Sequence, residues 1–182
     1  MVSLRLTTRE AVAPDGQPVI GRGYEARDAQ GQPLSREALT PERFEQLAIV
    51  EVAPASPEER QALRTPGFAL DRPVTLASEQ GGVAVRDAQG EQRAGWVPAA
   101  HAEAVAALLA ARGEEVVAWV CWEWLRDDGR TGADVAISLP QARPQRLGPP
   151  APRQRSRLAD RRAWLGLAAA LVVVALGFAS CA

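Results

Sequence analysis

Val116-Val-Ala-Trp-Val-Cys-Trp-Glu-Trp-Leu125 is the stretch on which the fold turns. Strict alternation sets Val116, Ala118, Val120, Trp122 and Trp124 on one face, and Val117, Trp119, Cys121 and Glu123 on the other. Both faces are largely apolar, so the segment reads as a strand covered on two sides. Asp127-Asp128-Gly129 makes a tight turn, and Ala133 to Leu139 alternates and returns antiparallel.

Working outward, Val74–Leu76, Val83–Val85 and Arg93–Val97 read as further strands, with turns at Asp87-Ala88-Gln89-Gly90 and a stop at Pro98, which has no N–H for a ladder. Ala99 to Ala111 carries a helical stripe of Val105, Leu108 and Leu109, ended by Gly113. Ser56-Pro57-Glu58-Glu59 is a capping-box signature for a second helix that stops before Pro66-Gly67. Leu47 to Val52 is a short strand. Residues 1–46 are ambiguous, with turns at Pro14-Asp15-Gly16 and Asp28-Ala29-Gln30-Gly31 and a helix start at Thr40-Pro41-Glu42-Arg43. Arg-Asp-Ala-Gln-Gly occurs at 27–31 and again at 86–90, which similar turns or chance explain. The expected fold is mainly β: a small antiparallel β-barrel with one or two packed helices.

Basic residues number 21, all arginine, against 22 acids in 182 residues. Arg153, Arg155, Arg157, Arg161 and Arg162 crowd one short window, which leaves the rest of the chain net acidic. That argues against a general phosphate-binding surface. From Ala163 to Ala182 no residue is charged. As a helix this stretch is about 30 Å long, a bilayer core's thickness. It is expected to span a membrane, with Trp164 and the five arginines flanking it and the body on the cytoplasmic side. Pro140 to Arg157 reads as an extended spacer. The implied organisation is an N-terminal extension (1–60), a β-domain (61–140), a Pro/Arg-rich linker (141–162) and the spanning helix (163–182). The partner implied by the tail is the lipid bilayer.

Gly82-Val-Ala-Val-Arg-Asp-Ala-Gln-Gly90, then Gly95-Trp96-Val97-Pro98, an Ala/Leu helix and a Trp-Glu-Trp strand resemble the HIRAN domain family over about residues 66–140. The resemblance implies a small β-barrel, and in helicase-attached members single-stranded DNA binding at free 3′ ends. Ala77-Ser78-Glu79-Gln80-Gly81-Gly82 stands where those members carry an Asn- and Asp-containing loop, so this chain lacks those groups.

The tentative ligand-binding residues are Trp96, Arg93, Arg72 and Arg86. His101 is the sole histidine and has no partner at metal-ligand spacing. Cys121 reads as buried and inert, and the tryptophans at 119, 122 and 124 read first as core. Phosphate loop, dinucleotide fingerprint and nucleophile elbow are all missing from the chain, and Gly21-Arg22-Gly23 is only a fragment of a glycine pattern. The expectation is therefore a membrane-tethered, non-catalytic interaction module without metal or cofactor. A single-stranded DNA-binding module and an enzyme of unknown class are its alternatives.

Overall fold

The computed structural model describes residues 2–13, 15–43, 47–139 and 145–147. Two ten-residue strands, β1 (Ser3–Val12) and β2 (Pro18–Arg27), form a hairpin around Asp15-Gly16. After 3-10 turns at Arg36–Ala38 and Pro41–Arg43 come β3 (Ala48–Glu51) and helix α1 (Pro57–Leu63). Strands β4 (Pro73–Glu79), β5 (Gly82–Asp87) and β6 (Arg93–Trp96) form a meander, followed by α2 (Ala99–Arg112). The hairpin β7 (Val117–Arg126) and β8 (Gly129–Ser138) and the short β9 (Gln145–Leu147) are the last elements among the described residues.

Each helix starts where local chemistry tells it to. Ser56 accepts from Glu59 N at 3.2 Å, and Glu59 Oε2 accepts from Ser56 N at 3.3 Å, a reciprocal capping box with Pro57 at the first position. Pro98 caps α2, and Gly113 ends it. The two Arg-Asp-Ala-Gln-Gly strings fold alike. Asp28 Oδ1 accepts from the backbone N–H of Gln30 and Gln32, and Asp87 Oδ1 from those of Glu91 and Gln92. Arg27 and Arg86 each donate to the carbonyl of the closing glycine, Gly31 or Gly90.

The eight longer strands pair antiparallel, and β9 adds a parallel edge on β1 over Ser3–Arg5. One path runs β6-β5-β4-β7-β2-β1-β9, while β8 lies on the opposite edge of β7 and carries β3. The barrel expectation is thereby corrected. The fold is mixed α/β, an open sheet with two short helices. The ladder forks because one edge of β7 serves two strands in series, β4 at Ala118–Trp119 and β2 at Trp122–Leu125. From the end of β3 a single bridge, Ala53 N–H to Trp96 O at 2.9 Å and Trp96 N–H to Ala53 O at 3.0 Å, reaches β6.

Residues 1–60 supply three strands of this same sheet and the start of α1, and residues 145–147 of the linker stretch are a strand. The membrane expectation is also corrected. Among the described residues no helix is long and apolar enough to cross a membrane. The longest, α2, has 14 residues, about 21 Å at the α-helical rise and short of a bilayer core. The stretch 163–182 and its flanking residues Arg153, Arg155, Arg157, Arg161, Arg162 and Trp164 lie outside the described residues. Membrane tethering, a single-pass topology with a cytoplasmic body and the bilayer as partner have no structural support.

Strand β7 departs from strict alternation at one place. Val120 faces Val135, but the next pair is Trp122 with Asp134, so Cys121 is an extra residue in a β-bulge. A one-residue shift exchanges the faces of everything beyond it. Val120 therefore packs in the helix-side core with Val105, Leu63 and Phe68. Trp119, Cys121 and Trp122 share the opposite core with Leu4, Leu39 and Leu47, and Trp124 packs against it. Glu123 turns to the other side, where Arg130 and Arg22 meet it.

Candidate functional site

The bulge creates an aromatic face that β2 is shaped to receive. Gly21 pairs with Trp124 and Gly23 with Trp122 across the β2–β7 ladder. A methyl group on Gly21 would lie 2.6 Å from Trp124 Cζ3 and 2.7 Å from Trp122 Cζ2, and one on Gly23 would meet the Trp122 backbone. The Gly-Arg-Gly string is thus the footprint of two indoles lying over the strand. Trp122 and Trp124 sit 5.7 Å apart, tilted by 60°, an edge-oriented arrangement that aromatic quadrupoles favour. Gly21→Ala is expected to lower stability by about 1–3 kcal/mol and to alter the near-UV circular dichroism. Urea melts of wild type and variant, with the spectra, check both.

Over this face closes a pocket of about 280 Å³ lined by Arg9, Tyr24, Glu25, Leu34, Arg36, Leu39, Ile49, Cys121, Trp122, Trp124 and Asp134, among others. Its polar groups come from three directions. Arg9 of β1 lies 5.8 Å from the Trp122 ring centroid and 4.0 Å from Glu25. Arg36, in the 3-10 turn, donates to Asp134 Oδ2. Asp134 itself is 2% exposed. Its Oδ1 is buried with no hydrogen-bond partner among the described residues; the same holds for the Nε1 of Trp122, which lies over Gly21 of β2. Cys121 Sγ donates to the Asp134 carbonyl at 3.4 Å.

Burial dominates the ionisation of Asp134. It outweighs the attraction of Arg36 and, helped by repulsion from Glu51, lifts the carboxyl from 3.8 to about 6. A raised carboxyl pKa means that the folded chain holds its proton where the unfolded chain has lost it. The associated penalty is nil below pH 3.8 and grows as pH rises to about 6, where it levels off. At its full extent it is about 3 kcal/mol. The stability difference between Asp134→Asn and wild type should therefore shift in favour of the variant by roughly that amount from pH 4 to pH 7. Chemical denaturation at a series of pH values reads this directly, and a difference flat with pH would refute it.

Of the sequence-derived binding residues, the structure brings three together. Arg93 lies over the Trp96 ring, with Cζ 4.4 Å from its centroid. It donates to Glu59 Oε1 at 2.7 Å and Glu79 Oε2 at 3.1 Å, and Arg86 Nε donates to Glu79 Oε1 at 2.8 Å. Both arginines are thus already matched by carboxylates. Glu79 is held below the usual carboxylate range, chiefly by Arg86. An open cleft of about 820 Å³ runs beside them, lined by Ser56, Glu59, Thr65, Arg86, Gln92 and Arg93 among others. Arg72 stands apart, in the turn before β4, where its backbone meets Val120.

His101 Nδ1 lies 3.0 Å from Glu42 Oε1 in the 3-10 turn, and that contact is the main cause of holding Glu42 at about 2. His101 and Cys121 thus have separate partners. Among the described residues no three His, Cys, Asp or Glu side chains are grouped to hold a metal ion.

Sequence reading missed Arg9, Arg36 and Asp134. One signal was available, a lone carboxylate inside the apolar return strand Ala133-Asp-Val-Ala-Ile137.

No protein-family model matches the chain, and neither does any curated protein or solved structure. The likeness to the HIRAN family is overturned on that ground. Its most distinctive string, Gly95-Trp96-Val97-Pro98, has a local cause: Gly95 lets β6 approach Ala53, and Pro98 starts α2.

Proposed function

We propose that this chain is a non-catalytic domain that binds a small ligand in the Trp122 pocket. The observation that carries the reading is Asp134, a pocket-lining carboxylate 2% exposed whose Oδ1 has no hydrogen-bond partner among the described residues. Burying a polar atom without a partner costs about 1–3 kcal/mol. An unpartnered carboxylate oxygen on a residue that lines a concave site is accounted for by a partner supplied from outside. The engagement of His101 with Glu42 and of the Cys121 thiol with a backbone carbonyl supports binding over catalysis.

The test is a ligand-observed NMR screen of chemically diverse fragments against the full chain and against Leu34→Trp, which fills the pocket from its half-buried rim. Fragments that bind wild type, lose binding in the variant and are recovered unaltered after incubation are the expected result. Hits that persist in the variant would refute the site, and chemical conversion of a bound fragment would refute the non-catalytic reading.

A further inference from the structure

We infer that residues 34–39 form a strap that gates the Trp122 pocket, with the ion pair between Arg36 and Asp134 as its latch. The inference rests on the binding reading above and adds the regulation of that site.

The pocket's inner groups are closed off from solvent. Asp134 is almost fully buried, and so is Cys121 on the pocket wall. A ligand reaches them only when something over them moves. Most of the other walls are strands held in hydrogen-bonded ladders. The strap joins β2 to β3 and contributes Leu34, Ser35, Arg36 and Leu39 to the lining.

The ends and the middle of the strap are built differently. Leu34 N–H donates to Ala26 O at 2.8 Å, Ile49 N–H donates to Leu39 O at 2.9 Å, and the Leu39 side chain is buried. Between these anchors Ser35, Arg36, Glu37 and Ala38 are all exposed, and their 3-10 turn buries no residue. From that turn Arg36 reaches inward and donates to Asp134 Oδ2. A segment with so little burial opens locally at small cost, so one charge-assisted bond weighs heavily in holding it shut.

Proton uptake by Asp134 releases the latch. The charged groups that act on it are Arg36 from the strap, which attracts, and Glu51 from β3, which repels. The Cys121 thiol of β7 meets its backbone carbonyl. Arg9 of β1 and Glu25 of β2 line the same pocket and face each other, and the Tyr24 hydroxyl is turned to Asp71. Burial outweighs Arg36 and sets the carboxyl at about 6. Above that value Asp134 is an anion and holds Arg36. Below it the carboxyl is neutral, and the Arg36 side chain, already 54% exposed, turns to water.

The test is the rate at which Cys121 reacts with 4,4′-dithiodipyridine in the full chain. Cys181→Ser is present throughout, so that a single thiol reports. Each rate is divided by that of the urea-unfolded chain at the same pH, which removes the reagent's own pH dependence. From pH 7 to pH 5 the neutral fraction of Asp134 grows about tenfold, and the wild-type ratio should grow with it. At pH 7 Arg36→Gln and Asp134→Asn should each raise the ratio about tenfold, independently of low urea concentrations, as local opening requires. Asp134→Asn, with no proton to take up, should be flat from pH 7 to pH 5. Arg64→Gln, which breaks an exposed ion pair with Asp128, should match wild type.

An unchanged ratio in both latch variants would overturn the gate. So would a rise that appears only as urea unfolds the chain, an equal rise in Arg64→Gln, or a wild-type ratio flat with pH. The fragment screen against Leu34→Trp decides the binding reading separately, since it reads bound fragments and not the rate of opening.

Discussion

Replacing Glu123 with leucine will lower the unfolding free energy by about 3–5 kcal/mol. The carboxylate is 1% exposed and receives Arg22 Nη2 at 2.6 Å, Arg130 Nε at 2.9 Å and the Leu70 backbone N–H at 3.3 Å. Arg130 is only 10% exposed, and its Nη1 also donates to the carbonyls of Leu63 and Thr65 at the end of α1. Loss of Glu123 strands a guanidinium that cannot reach water without breaking those bonds. The double variant Glu123→Leu, Arg130→Met should recover most of the loss, because buried ion pairs are commonly replaceable by apolar pairs of similar volume. Urea unfolding of the three chains measures this, and a single-variant loss below about 1 kcal/mol would defeat the argument. Burial pushes the Glu123 carboxyl upward, but Arg130 and Arg22 together leave it below its ordinary value. Its contribution is therefore complete above the ordinary carboxylate range and is lost as pH falls through the depressed value.

Gly95→Ala is expected to be comparably damaging, by about 3–5 kcal/mol, as two penalties combine. The glycine has φ +154°, and an added Cβ would stand 2.7 Å from Ala53 O and 2.8 Å from Pro54 N. Those neighbours are backbone, so neither can rotate away. Relief requires breaking the Ala53–Trp96 bridge, the tie between the chain after β3 and the β4–β6 meander. Gly16→Asn is the matched control. It too has positive φ, at +80°, but nothing lies within 4 Å, and asparagine tolerates that conformation. Its loss should stay under about 1 kcal/mol. Equal losses in the two variants would show that conformation alone, without the close approach, accounts for Gly95.

The elements from β3 to β8 were legible because each carries a strong local signal. Ser56 to Glu59 announced α1, the Val105, Leu108, Leu109 stripe announced α2, and turns at Asp87 and Asp127 divided the strands. The hairpin β1–β2 was not. Ser3 to Val12 gives only Leu4 and Leu6 as alternating apolar residues before a run of Thr, Arg and Glu, and β2 is interrupted by two glycines. Those glycines make sense only beside Trp122 and Trp124, whose side of the sheet the sequence does not reveal. The Trp96 cluster was partly legible, since Arg93 and Arg86 flank it in sequence. Its neutralisation by Glu59 and Glu79 was not, because those contacts span up to 34 positions. The pocket was invisible for a further reason. Arg36 and Asp134 stand 98 positions apart, and nothing local in either segment calls for the other.

Cys121 acts on its strand much as an inserted letter acts on a reading frame. Its side chain is small and buried, so a substitution such as Cys121→Ser leaves the strand's phase untouched. Excision of the whole residue would reset the phase of every position from Trp122 to Arg126, carrying two indoles under α1 and an acidic group into the oily side. Chains altered by a single codon deletion there should fail to fold, whereas the same deletion in the solvent-facing 28–31 turn should be survivable.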